Sequence, residues 1–197
     1  MSILQLSDLE LYLSKDIAGT TDEDKYSYLI ESVQSQAESI CHHKFDLQEY
    51  TEIYDGNGGN ELSLNNYPVT TVSEVLYGWV WSGSSRTEIT SDNYLVYNDI
   101  GTLAFNFNST DDGNQLFNIT YTAGWTDADP SSSSNAPTDL KTILMNEIES
   151  QKNKSFTSGD IKKQKLGDYS WEKFTDAEKE GTSAFEDKLK KYVRSDI

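Results

Sequence analysis

Three groups of side chains in this chain have types that could carry chemistry. The first is Cys41-His42-His43, which holds the single cysteine and both histidines of the 197 residues. Thiolate and imidazole ligate zinc, and a cysteine beside a histidine can form a nucleophilic pair. Successive helical residues point about 100° apart, however, so three neighbours do not close on one ion. With no other Cys or His to complete a set, the triplet reads as a helix C-terminus where histidine complements the dipole. The second group, Asp55-Gly56-Asn57-Gly58-Gly59-Asn60-Glu61, has the look of a calcium loop. An EF-hand wants an oxygen ligand at position five, Gly at six and an acid at twelve; here these are Gly59, Asn60 and Asn66. A Gly/Asn hairpin turn is the better account, and Asp111-Asp112-Gly113-Asn114 reads as a turn as well. The third group is aromatic: Trp79, Trp81 and Trp125 have rings suited to stacking on sugars or bases, although strand aromatics more often fill cores. GxGxxG, GxxxxGK[ST] and GxSxG motifs are absent. With 33 acidic residues, carboxylate pairs arise by chance, so none is nominated as a glycosidase dyad. No catalytic residue, cofactor-binding residue or metal ligand is assigned, and the chain does not read as an enzyme.

The elements that would position these groups follow from capping signals and periodicity. Ser7-Asp8-Leu9-Glu10 has capping-box spacing and predicts a short helix to about Lys15. Thr20-Thr21-Asp22-Glu23 is a second box. It is followed by Tyr26, Leu29, Ile30, Val33, Ala37, Ile40 and Cys41 at helical spacing, predicting a helix over 22–43. From Asp46 the period changes to two, with strands expected at 48–54, 61–65, 71–77, 94–98, 102–107 and 115–122. Asp55–Asn60, Asp99-Ile100-Gly101 and Asp111–Asn114 are expected to join them as hairpin connections, and 78–90 reads as a strand end running into a loop. Asp127–Pro137 is a Pro/Ser linker. Helical spacing returns at Leu140, Ile143, Leu144 and Ile148 and fades near Asn153. A third box, Thr175-Asp176-Ala177-Glu178, opens a last helix that includes Ala184, Phe185, Leu189, Tyr192 and Val193.

The fold expected is α+β: an N-terminal helix pair and C-terminal helices around a central antiparallel β insertion. Its parts are 1–45 (helices), 46–126 (β region), 127–138 (linker) and 139–197 (helices with a basic, aromatic segment), forming one domain with an insertion.

Charge is unevenly distributed. Residues 1–140 carry 4 basic and 22 acidic side chains, residues 141–197 carry 12 and 11, and the whole has a net charge of −17. So acidic a body repels a phosphate backbone, which argues against gripping nucleic acid. Hydrophobic residues make up 36%, which predicts a modest core, and no apolar run reaches the roughly 20 residues of a bilayer span. The opening MSILQLSDLELYL lacks a basic stretch and is not a secretory signal. One cysteine excludes an intrachain disulfide and fits a cytosolic or virion-borne protein. The run Lys162-Lys163-Gln164-Lys165-Leu166-Gly167-Asp168-Tyr169-Ser170-Trp171-Glu172-Lys173-Phe174 combines charge, short alternation and aromatics. It is either a solvated loop or a segment that orders by adding to another chain.

In their order the pieces resemble the head-to-tail connector (adaptor, head-completion) proteins of tailed bacteriophages. The resemblance rests on the helix pair, on Tyr54-Asp55-Gly56 with Leu62 and Leu64, and on Pro68-Val69-Thr70 with Val72. It rests further on Ile119-Thr120-Tyr121-Thr122-Ala123-Gly124-Trp125, on Pro137 with Asp139-Leu140-Lys141, and on Lys165-Leu166-Gly167-Asp168-Tyr169-Ser170, across most of 7–194. It implies a structural virion protein of the neck, made in the bacterial cytoplasm. Such proteins form a ring, commonly a dodecamer, under the portal protein; the ring extends the channel through which genomic DNA passes unbound. A stopper or tail-completion protein would dock on it; no cofactor and no membrane are involved. The expected portal-docking residues are Lys162, Lys163, Lys165, Leu166, Tyr169, Trp171, Phe174, Phe185, Tyr192 and Arg194. The expected subunit or tail-side loop residues are Asp55, Asn57, Asn60, Trp79, Trp81 and Arg86. Residues 76–115 make a larger β region than in short connectors. The alternative reading is a non-catalytic aromatic β module that recognises carbohydrate or protein on a virion or cell surface.

Overall fold

The computed structural model describes the backbone of residues 2–78, 86–107, 112–126, 135–156, 163–166, 169–172 and 184–193, with side chains outside 112–114 and 153–172. These residues form two compact units, one of 43–136 and one of 2–42 with the segment from Pro137 onward. The architecture is α+β, with helices toward both ends and antiparallel sheets between them in sequence.

In the helical unit, α1 (Leu6–Leu13), α2 (Glu23–Cys41) and α3 (Thr138–Phe156) precede a helical turn over 184–189 and a 3-10 turn at Lys190–Tyr192. The apolar stripe read from the sequence is the buried one: Tyr26, Leu29, Ile30, Val33, Ala37 and Cys41 on α2, with Leu140, Leu144 and Ile148 on α3, which packs against it. The first two capping boxes are built differently from the expectation. The α1 cap lies two residues earlier than Ser7, at Gln5, whose N–H donates to the Asp8 carboxylate at 3.1 Å. Glu10, freed from capping, accepts the Ile17 and Ala18 N–H groups at 2.7 and 2.6 Å. At α2 the Thr20 hydroxyl donates to the Ile17 carbonyl and Glu23 accepts the Gly19 N–H at 2.6 Å. Those side chains therefore hold the α1–α2 loop, and Asp22 is the N-cap residue. Both boxes had the right residues, but a short loop with several orphan N–H groups competes for the same oxygens. The third box lies outside the described residues.

The β unit holds two sheets. One runs β1 (Gln48–Asn57), β7 (Asp112–Ala123), β3 (Val69–Tyr77), β4 (Thr87–Glu88) in spatial order; the other runs β2 (Glu61–Ser63), β6 (Thr102–Phe105), β5 (Tyr94–Tyr97). All pairings are antiparallel. Both sheets contribute to one core, with Tyr54, Val69, Val75, Phe117, Ile119 and Tyr121 from the first and Leu62, Leu103 and Phe105 from the second. Phe105 and Phe117 stack at 5.2 Å between centroids.

Two expected hairpins are not hairpins. The Asp55–Asn60 tip has the anticipated turn chemistry: the Asn57 side chain accepts the Gly59 N–H at 3.0 Å and donates to the Glu61 carbonyl at 2.9 Å. Yet its arms enter different sheets, β1 pairing with β7 and β2 with β6. Likewise Asp112 and Gly113 open β7, opposite Asn57 and Gly56. Alternation specifies a buried face but not a partner, and the twelve-residue β7 takes the whole of β1. The Asp99-Ile100-Gly101 connection does join β5 to β6, through a 3-10 turn at Asn98–Ile100 and Gly101 at φ +61°. β4 has only two residues and left no period to detect.

Candidate functional site

The densest polar cluster among the described side chains lies inside the β unit and was not anticipated as a site. Tyr54 on β1 and Tyr121 on β7 face inward; both phenols donate to the same Glu52 oxygen, Tyr121 at 2.6 Å. In return the Tyr54 oxygen accepts the Asn65 N–H at 3.0 Å and the Tyr121 oxygen accepts the Asn66 N–H at 3.2 Å. Each hydroxyl has one proton, so with both protons on Glu52 the 3.1 Å approach of the two phenol oxygens is a contact and not a further bond. Asn66 is buried, and its side-chain oxygen accepts the Lys44 N–H at 3.2 Å. One carboxylate thus ties β1 and β7 to the segment 64–68, which carries the cis Tyr67–Pro68 bond between β2 and β3. Burial, reinforced by the bond to Glu52, pushes the Tyr121 phenol up to about 12 and Tyr54 higher still, so neither is a base or nucleophile at neutral pH.

The expected loop residues also have local partners. Asp55 accepts the Gln115 N–H at 2.6 Å, and Arg86 donates to the Gln115 carbonyl at 3.0 Å. The structure therefore brings Asp55 and Arg86 together on one residue, Gln115, held at φ +56°. Asn57 closes its own turn, and the Asn60 carbonyl accepts the Phe105 N–H at 2.7 Å. Trp79 and Trp81 lie outside the described residues. Trp125 is buried against Phe45 and near His43, a core position and not a stacking platform.

Of the C-terminal residues, Lys163, Lys165 and Leu166 lie on β8 (Lys163–Leu166), and Tyr169 and Trp171 on β9 (Tyr169–Glu172). The two strands pair antiparallel, Lys163 opposite Glu172 and Leu166 opposite Tyr169. Phe185 is buried and Tyr192 half-buried, its hydroxyl donating to Asp139 at 2.6 Å beside the Lys191–Asp139 ion pair. Lys162, Phe174 and Arg194 lie outside the described residues.

Cys41 ends α2, fully buried; burial, then the nearby Glu38 charge, pushes its thiol up to about 12, too high for a thiolate ligand or nucleophile at neutral pH. His42 caps the helix in the left-handed region at φ +60°, and the buried His43 stacks on Tyr67 at 4.2 Å. Among the described residues no group of three His, Cys, Asp or Glu side chains is placed to hold a metal ion, and no helix is long and apolar enough to cross a membrane. Sequence reasoning missed Glu52, Asn65 and Asn66. Their only signal was the turn-like Asn-Asn-Tyr-Pro run, and Tyr54 and Tyr121 were noticed as motif members without a physical role.

Gly124 supplies the reason for another motif position. At φ +109° a Cβ there would sit 2.3 Å from the Asp46 carbonyl oxygen, where the Trp125 N–H donates to Phe45 and the Leu47 N–H to Trp125, knitting the two segments together. Only glycine permits that approach.

A helical unit and an aromatic double-sheet unit define an α+β protein. The chain belongs to the head completion protein family, whose model matches residues 2–154. No curated protein matches it in sequence. Among solved structures it is similar to a chain in the neck of an empty gene transfer agent (GTA) particle computed with C6 symmetry. The identity is 14% and the TM-score 0.59, over 99% of this chain and 91% of that one. It is similar also to a chain in the virion of the native GTA particle, at 15% identity and TM-score 0.59, over the same shares. At such identities the likeness is one of fold.

Proposed function

We propose that this protein is a structural subunit of a phage-type neck. In this reading it forms a ring under the portal, extends the DNA channel and offers the docking surface for a stopper or tail. The observation that carries the reading is the head completion family match over residues 2–154, joined by fold likeness to a chain from a neck computed with C6 symmetry. The charge fits the role: with 22 acids against 4 basic residues before position 141, the body offers passing DNA few places to adhere. The near-neutral C-terminal part meets an acidic neighbour without repulsion.

Portal docking is assigned to 162–174 and 184–194. There Lys162, Lys163, Lys165, Leu166, Tyr169, Trp171, Phe174, Tyr192 and Arg194 make the contact, and Phe185, buried in its own unit, holds the last turn in place. Asp55, Asn57, Asn60, Trp79, Trp81 and Arg86 face a neighbouring subunit or the tail side.

The test is co-expression with the portal protein of the same genome, followed by electron microscopy of the purified particles. An extra ring beneath the portal, lost when 159–197 are deleted, supports both the ring and its anchor. A bare portal with this chain left free refutes the ring; a ring that survives the deletion refutes the anchor.

A further inference from the structure

Among the described edge strands of the β unit, β5 alone lacks the devices that keep edges from pairing. β4 is two residues long and β2 three, the latter led by Glu61. β1 presents the exposed Glu49 and Asp55, so two such edges would bring like charges together. β5 lies at the end of the order β2-β6-β5, and from Asn93 to Asn98 there is no charged side chain.

The direction of its free groups follows from its neighbours. Phe105 N–H donates to Asn60 on the β2 side, and Asn106 N–H donates to Asn93 on the β5 side. Antiparallel alternation then turns the N–H and C=O groups of Leu95 and Tyr97 toward β6 and those of Tyr94 and Val96 away from the sheet. Tyr94 and Val96 lay their side chains on the core, while Leu95, Tyr97 and Ile100 are 58%, 46% and 56% exposed. The result is an uncharged strip with free backbone groups and apolar side chains, in a chain of net charge −17.

We propose that this edge pairs with β5 of a second copy of the chain, antiparallel, about a two-fold axis at Leu95. Only residues whose backbone groups point outward can exchange bonds, and the register that uses both outward residues of β5 in each copy puts Tyr94 opposite Val96 of the second copy, and Val96 opposite its Tyr94. Four backbone hydrogen bonds form, and the two Leu95 side chains meet on the exposed face as a directly opposed pair. In this register Asp92 faces Asn98 and Asp99 faces Ser91, so no acid opposes an acid. That is the argument for a second copy as occupant: each strand meets in its twin a neutral, apolar edge, whereas the other edges of so acidic a chain repel their own kind. Such a contact closes at two copies. It is a property of the free protein, separate from the ring and not resting on it.

The experiment is sedimentation velocity on the full chain over a concentration series, for wild type, Leu95→Lys and Val96→Pro, with circular dichroism as the folding control. Wild type is expected to form a dimer. Leu95→Lys, at an exposed side chain, places two ammonium groups together and leaves a folded monomer. Val96→Pro removes an outward N–H from each copy, two of the four bonds, and weakens the dimer at least about tenfold. If the proline variant loses its fold, the lysine variant decides alone. Leu95→Cys reads the register: opposed Cα atoms about 4.5 Å apart lie within disulfide range, so oxidation should yield a covalent dimer. Tyr97→Cys should not, since Tyr97 faces Asn93, and the fully buried Cys41 does not compete. A monomer at every concentration, a dimer indifferent to Leu95→Lys, or a dimer in which Leu95→Cys fails to cross-link would overturn the proposal.

Discussion

Replacing Tyr121 with Phe removes one oxygen and leaves two groups without their partner. Glu52 loses a donor at 2.6 Å, a charge-assisted bond worth about 1.5–3 kcal/mol. The Asn66 N–H, in a buried residue, loses its acceptor and with it about 1–3 kcal/mol. Because Asn66 Nδ2 still reaches Glu52, part of this is recovered, and we expect Tyr121→Phe to cost about 2–4 kcal/mol. Tyr54→Phe strips the same kind of bond from Glu52, but its partner Asn65 is exposed and water replaces the lost acceptor, so only the cost of that one bond, about 1.5–3 kcal/mol, is expected. The double variant should fall short of the sum, since both phenols donate to one oxygen. pH supplies an independent arm. A phenol that titrates near 12 folded and near 10 unfolded contributes stability that is complete below pH 10 and disappears as pH rises toward 12. For Tyr121 this amounts to about 3 kcal/mol, and the alkaline slope should shrink by that share in the Phe variant. Urea unfolding of the three variants at pH 8 and across the alkaline range measures all of this. A Tyr121→Phe cost below about 0.5 kcal/mol, or one no larger than that of Tyr54→Phe, refutes the assignment of the node as the tie between β1, β7 and the 64–68 segment.

Three further outcomes are expected. Gly124→Ala drives a methyl into the Asp46 carbonyl and should cost more than about 3 kcal/mol or abolish folding; thermal unfolding with circular dichroism measures it. Cys41 should ignore a thiol reagent at pH 8 in the native protein and react once in denaturant, since burial both shields it and keeps it protonated. Phe185→Ala should destabilise the helical unit by about 3–5 kcal/mol in chemical denaturation, because this ring is core and not free surface.

The helices were the most legible part of the sequence, because a stripe such as Tyr26-Leu29-Ile30-Val33-Ala37-Cys41 buries one face whatever it packs against. The strands other than the two-residue β4 were legible as strands, from Gln48 to Ala123, for the same reason. Their partners were not. The Gly/Asn tip at 55–60 satisfies hairpin chemistry perfectly well, yet β1 leaves with β7, a choice made by strand length and shared burial 60 residues away. The two capping boxes failed in a related way: the right side chains were present, and the loop N–H groups of Ile17, Ala18 and Gly19 claimed them. The Glu52 node was invisible because its members come from β1, the 64–68 segment and β7, and nothing local in a lone glutamate on a strand marks it as the meeting point of two phenols. The motif residues of the family resemblance did carry this information in disguise. Tyr54, Tyr121 and Gly124 hold the β unit together, and that role explains them without any ligand.

The position of β7 in the order of synthesis has a consequence for biogenesis. It is the last strand of the large sheet to be made, and both β1 and β3 pair with it, Gln48 finding Ala123 at a sequence separation of 75. Apart from the two-residue pairing of β3 with β4, no strand of that sheet has a sheet partner until residue 112 has left the ribosome, and α2 waits longer still for α3. A nascent chain therefore carries β1 and most of β3 unpaired until β7 is made. Such long-range closure belongs to the slow-folding, aggregation-exposed class of topologies. Dense negative charge over that same early stretch keeps unfinished chains apart from one another while they wait.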